Sequence, residues 1–341
     1  MGVILLLADA QEPWSLHVER ELLKRHHPVR RIEPAALLDN LLIDWRLSGF
    51  PSALGAAVST CGLGHECPVE LDGVLVGMSP ASLQFPHNSF PPEDQAYVTM
   101  EWMAGLYAWL RSLSCPVINV PVPGRGAVLL PSHPMIREAC RRAGWMAAPH
   151  AVVTDRMRAA QWFDRWNRHV RVQSCADGSV MGELRGTESL PVMEELLLAG
   201  PVVIQPIPEG VRSHAILVGS TVIGGTCRTA VQDSRLCSGV LDATTVSPQV
   251  AHRCRQLVQS LGLTCAEIAF VHRPDDSLHC LGVSERPAFG RCSDALRQSV
   301  VGHLVNVLDH TQEWRTRDSA LRTHGRSHDC QPSRPSCCAI G

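Results

Sequence analysis

The chain has 341 residues, 45% hydrophobic and 19% charged, enough for two or three small domains with sizeable cores and too apolar for a disordered polymer. A formal net charge of −2 and few aromatics argue against a nucleic-acid partner. No apolar run reaches the ~18 residues of a membrane span, and the 14 cysteines, with no basic region ahead of the apolar first ten residues, read as reduced thiols of a cytoplasmic protein.

Residues 2–7 are a compact apolar run and predict a buried parallel strand. A helix follows over 14–26, with Trp14, Val18, Leu22 and Leu23 on one side. Strands are expected at 29–32 and 71–76, with a short helix or the approach to a further strand at 35–42. This is the rhythm of a small open α/β domain. Residues 79–92, rich in Pro and Ser, read as a loop. A helix over 94–113 presents Val98, Trp102, Leu106 and Trp109 at helical spacing. Gly144 ends a helix over 134–144. A strand over 167–174 leads into a small-residue loop at Gly178, and a second strand runs from 202 into Pro206. Segments 215–218 and 221–225 form a hairpin, and 248–262 an amphipathic helix. Strands at 265–271 and 278–283 flank Arg273-Pro274-Asp275-Asp276, which is turn chemistry. A last helix covers 293–310. The Arg-, Ser-, Pro- and Cys-rich tail from 316 is mostly disordered past about 325.

Strand, acidic turn and strand make a hairpin, followed by a segment ending at Pro287. Upstream, Glu101 inside a helix precedes Val117-Ile118-Asn119-Val120-Pro121, and residues 202–212 carry Gln205, Gly210 and Arg212 at a set spacing. In order and spacing these motifs resemble the RimK-like branch of the ATP-grasp superfamily, the amino-acid and peptide ligases that include the microviridin-type ring-forming enzymes. The resemblance implies an α/β and α+β architecture: an N-terminal open α/β domain (1–122), then an ATP-grasp-like core (123–312) whose two α+β subdomains, 123–204 and 205–312, clasp a cleft, and a tail (313–341). It also implies adenine contacts along Gln205, Pro206, Ile207 and Glu209, and puts Arg212 and Arg228 toward phosphate or substrate.

The catalytic positions depart from the family's pattern. Its Mg²⁺ ligands are an acid on the first hairpin strand and a Glu-x-Asn on the second; here Ala269, Gly282 and Ser284 stand there. Its two phosphate-binding lysines correspond to His133 and Gln173, and Gly77-Met78 replaces a paired Arg. Phosphoryl transfer depends on positioning and on cations around the phosphates, and Mg²⁺ needs hard oxygen ligands. Of 31 basic residues the one Lys, Lys24, lies in the first helix, so only Arg could supply charge in the core, with a different geometry. Arg137, Arg171, Arg212 and Arg228 are the candidates. Glu267, two residues before Ala269 and on the same strand face, and Glu285, beside Ser284, make a displaced metal pair.

Three functions fit this pattern. One is a relative that has lost Mg-ATP chemistry and binds a peptide or protein partner, as an accessory subunit in a peptide-modification or natural-product pathway. The second is an atypical ATP-dependent carboxylate–amine ligase using Arg212, Arg228, Glu267 and Glu285, with ATP and Mg as cofactors. The third is a metal- or redox-responsive protein working through Cys61, His65 and Cys67 or the tail's His324, His328, Cys330, Cys337 and Cys338.

Overall fold

The computed structural model describes residues 2–34, 42–44, 57–59, 71–78, 91–119, 133–175, 180–207, 209–228, 240–275, 277–287 and 289–309. The first strand, β1 (Val3–Leu7), feeds α1 (Pro13–Lys24) and then β2 (Val29–Ile32). Glu12 caps α1 by accepting from the Ser15 amide, and Pro13 occupies the first turn, where its missing N–H costs nothing. A short antiparallel pair, β3 (Leu42–Asp44) and β4 (Ala57–Ser59), precedes β5 (Leu71–Val76), helix α2 (Pro92–Ser112) and β6 (Val117–Ile118).

The N-terminal sheet is all parallel, in the order β2-β1-β5-β6. Such a sheet is covered on both faces, and alternation along β1 does the covering. Ile4 and Leu6 pack with Trp14, Val18 and Leu22 of α1, while Leu5 and Leu7 pack with Met103, Leu106, Trp109 and Leu110 of α2.

Helix α3 (His133–Arg142) and β7 (Met146–Ala147) follow. Gly144, at φ +70°, ends α3, and the Trp145 amide closes the turn on the Cys140 carbonyl at 2.8 Å. Next come β8 (Ala151–Val153), α4 (Arg156–Arg165), β9 (His169–Ser174), β10 (Val180–Arg185), α5 (Leu190–Leu198) and β11 (Val202–Pro206). The strands form an antiparallel sheet, β10-β9-β11-β8. Phe163 of α4 and Met193 of α5 cover one face, against Val170, Val172, Leu184 and Ile204.

The rest of the chain builds the largest sheet from β12 (Val211–Val218), β13 (Thr221–Arg228), β14 (Val240–Thr244), β15 (Cys265–His272) and β16 (Leu278–Ser284), with β7 added at its edge. Helix α6 (Pro248–Ser260) and α3 cover one face, around Cys254, Leu257, Ile268 and Phe270. So residues 133–147 pack with this sheet although they precede the strands of the smaller one. The other face is shared: Ile216, Val218 and Cys265 pack on α7 (Asp294–Asp309), and the far end is left for polar groups. Helix α7 also packs on α1 and on Leu75 of β5, so one helix joins the N-terminal sheet to the largest sheet.

The loops at 79–90, around Gly178 and at 61–67, and the tail, lie outside the described residues.

Candidate functional site

Ala269 pairs with Gly282 and Glu267 with Ser284 across β15 and β16, while His214 of β12 pairs with Ala269 on the other side. Side chains alternate along strands. Arg212, His214, Glu267, Ala269, Gly282 and Ser284 therefore share one face, and Ala215, Ile268, Phe270 and Cys280 point into the core under α3 and α6. Ala269, Gly282 and Ser284, the positions the resemblance sets against the family's metal ligands, thus lie on one face. Ala269 offers a methyl group and Gly282 nothing. The Ser284 hydroxyl donates to the Arg286 carbonyl at 2.8 Å and accepts from the Arg286 amide at 3.2 Å, so it is used in a local turn. This donor set does not fit Mg²⁺, and among the described residues no group of three or more His, Cys, Asp or Glu is arranged to hold a metal.

The two nearby glutamates meet different neighbours. Glu267 Oε1 lies 2.8 Å from His214 Nδ1, and the other ring nitrogen lies 3.5 Å from Arg291 Nη2. Burial, and then the Glu267 carboxylate, push the Cys292 thiol up to about 11. Glu285 faces α2 instead, where burial and then the Glu285 charge push the Tyr107 hydroxyl up to about 12. Its backbone carbonyl accepts from Asn119 Nδ2 at 2.9 Å. Asn119 is buried and fully used: Nδ2 also donates to the Cys265 carbonyl, and Oδ1 accepts from the Thr264 and Cys265 amides. This residue fastens the end of β6 to the start of β15.

The smaller sheet supplies the opposite wall. Val170, Val172 and Leu184 point to α4 and α5, so Arg171, Gln173 and Glu183 point the other way, all buried. A β-carbon built on Gly282 would lie 3.6 Å from Gln173 Nε2 and 3.9 Å from Arg171 Nη1. Glu183 Oε2 accepts from Arg212 Nη1 at 2.5 Å, and Glu183 Oε1 lies 3.5 Å from Arg171 Nη2. Arg171 Nε and Gln173 Oε1 are buried without a hydrogen-bond partner.

A bulge in the hairpin adds one more tie. Ala269 pairs with Gly282 but Phe270 pairs with Cys280, which leaves Leu281 as the extra residue. Its freed carbonyl accepts from Gln205 Nε2 at 2.7 Å. The segment expected to meet adenine is held nearby. Pro206 pairs with Val170, the Ile207 amide donates to the His169 carbonyl at 3.3 Å, and Glu209 is exposed. His133 begins α3 and Arg228 ends β13, but their side chains lie outside the described part.

Sequence reasoning singled out Arg171, Gln173 and Arg212 but not Glu183, His214 or Arg291. Alternation along β12 was the available signal for His214, two residues beyond Arg212. Nothing in the sequence ties Glu183 to Arg212, because their contact crosses between two sheets.

An open parallel sheet followed by two sheets that face each other across Gly282 and Gln173 is the layout of the ATP-grasp fold. Solved structures of this fold superpose on nearly the whole chain. The ATP-grasp ligase PsnB complexed with minimal precursor matches with TM-score 0.64 at 16% identity, covering 91% of this chain and 99% of its own. The macrocyclase MdnC from Microcystis aeruginosa MRC, bound with precursor peptide MdnA, matches with TM-score 0.61 at 13% identity, covering 90% and 100%. A RimK domain ATP-grasp protein from Sphaerobacter thermophilus matches with TM-score 0.52 at 15% identity, covering 89% and 98%. No protein-family model and no curated protein matches the chain.

Proposed function

We propose that this chain uses an ATP-grasp frame to bind a peptide, as an accessory subunit in peptide modification, without Mg-ATP ligase chemistry of its own. The observation that carries this reading is the meeting of Ala269, Gly282 and Ser284 on one face with no acid among them. A developing phosphoryl charge there has no metal to meet, and the buried residue at one lysine position is the neutral Gln173. A peptide partner is supported by the neighbours, since PsnB and MdnC were both solved with precursor peptides. A cytoplasmic setting accords with the 14 cysteines, and no described helix is long and apolar enough to cross a membrane.

The test is ADP release from Mg-ATP by the purified chain, with and without candidate precursor peptides. We expect background rates in both conditions. Sustained Mg-dependent ADP release, lost in Glu267→Ala, would overturn the proposal in favour of an atypical ligase. Glu267 is the group that makes this second reading specific, since it sits on the cleft face opposite Ser284.

A further inference from the structure

We infer that Glu183 is a built-in occupant of the cleft's anion seat, with its carboxylate held between Arg171 and Arg212 where a ligand anion would otherwise bind. The inference rests on the reading of the cleft as lacking metal chemistry, and adds what fills it. Arg171 and Glu183 stand on neighbouring strands of the smaller sheet, directly paired in register. Arg212 stands on the largest sheet. The carboxylate therefore ties one wall to the other, and all three side chains are substantially withdrawn from water, with relative exposures of 7% for Arg171, 10% for Glu183 and 24% for Arg212.

Two cations on facing walls are the elements of an oxyanion site, because guanidinium groups recognise carboxylate and phosphate oxygens in the same way. Arg171 has spare capacity, since its Nε has no partner. Beside it lie the unpartnered Gln173 Oε1 and Gly282, where an added β-carbon would be in ordinary contact with Gln173 Nε2 at 3.6 Å and Arg171 Nη1 at 3.9 Å, so the hairpin sends no side chain toward the guanidinium at that point. An external phosphate-class anion entering here must displace Glu183 from Arg212, which removes one tie between the two walls while the bond from Gln205 to the Leu281 carbonyl remains. Glu183 thus acts as an intramolecular competitor for the anion.

The test is calorimetric titration of the full chain with inorganic pyrophosphate, without divalent metal. We expect weak binding by the wild type and binding about tenfold tighter, or more, in Glu183→Gln, which keeps the shape and removes the competing charge. Adding Arg212→Gln to that variant is expected to erase the gain. The inference is overturned if Glu183→Gln binds no tighter than wild type, or if its gain survives Arg212→Gln. Should Glu183→Gln not melt cooperatively, Glu183→Asp retains the charge but shortens its reach; a gain of about threefold is expected, and no gain overturns the inference. Failure here is distinct from failure of the functional proposal, which turns on Mg-dependent ADP release by the wild type.

Discussion

At the scale of single residues, one buried amide fastens the N-terminal sheet to the largest sheet. Asn119 makes four hydrogen bonds to backbone groups at residues 264, 265 and 285. Truncating it leaves buried donors and acceptors unmatched, each worth roughly 1–3 kcal/mol. Asn119→Ala is therefore expected to lower stability by about 3 kcal/mol, read as a reduced denaturation midpoint; a change under about 0.5 kcal/mol would contradict this role. Titratable side chains give a second prediction at this scale. His17, His150, His169 and His279 all have pKa values lowered from 6.5, chiefly by burial and then by neighbouring arginines. A folded-state value below the unfolded one means that the unfolded chain takes up more protons as the pH falls below 6.5. Stability from these groups is then complete above 6.5 and declines on acidification. Glu12, raised by burial, acts in the opposite sense, but only near the carboxylate range. Thermal melts are expected to give a lower midpoint at pH 5.5 than at pH 7.5, and a higher midpoint at pH 5.5 would reverse the sign argued here.

At the scale of elements, the β15–β16 hairpin shows how much a sequence can specify. The strands at 265–271 and 278–283 were legible from alternation and turn chemistry, and the structure extends each by one residue. Facing on β15 followed from the same alternation: one face had to hold the apolar Ile268 and Phe270, which sent Glu267 and Ala269 to the cleft. Helices α4 and α5 and strand β14 were not legible. Helix α4 buries only Ala159 and Phe163 and α5 only Met193, too few positions to give a clear period. The bulge at Leu281 was also hidden, because an extra residue becomes visible only in the pairing of two strands. Entry into the largest sheet depends on a glycine. Gly210 has φ +142°, and a β-carbon there would clash with the His272 carbonyl oxygen at the end of β15. Gly210→Ala is expected to destabilise by about 2 kcal/mol or more. Urea melts would measure this, and an unchanged midpoint would refute the close approach.

At the scale of the whole molecule, α7 carries the assembly. Leu296, Val300, Leu304 and Leu308 meet α1 and β5 on one side and Ile216, Val218 and Leu241 on the other, and Arg25 donates to Asn306 across the same seam. Leu304 is fully buried, so Leu304→Ala is expected to lower stability by about 2–5 kcal/mol. Limited proteolysis should then release the N-terminal domain, and resistance equal to wild type would contradict this bridging role. The fold class was legible from the order and spacing of the motifs, but not that residues 133–147, expected with the first subdomain, pack on the largest sheet. The cleft's present contents were not, because Glu183 with Arg212, and Gln205 with the Leu281 carbonyl, are pairs between sheets distant in sequence.

The central proposal is that the ATP-grasp frame persists without its metal chemistry. Calorimetric titration with a non-hydrolysable ATP analogue, with and without Mg²⁺, tests it most directly. Wild-type binding, at whatever strength, is predicted not to tighten with Mg²⁺, whereas Ala269→Asp/Gly282→Glu/Ser284→Asn is predicted to acquire that dependence because the three positions already meet on one face. Binding by the wild type that tightens with Mg²⁺, and weakens again in Glu267→Ala/Glu285→Ala, would contradict the account and mark a relocated metal site.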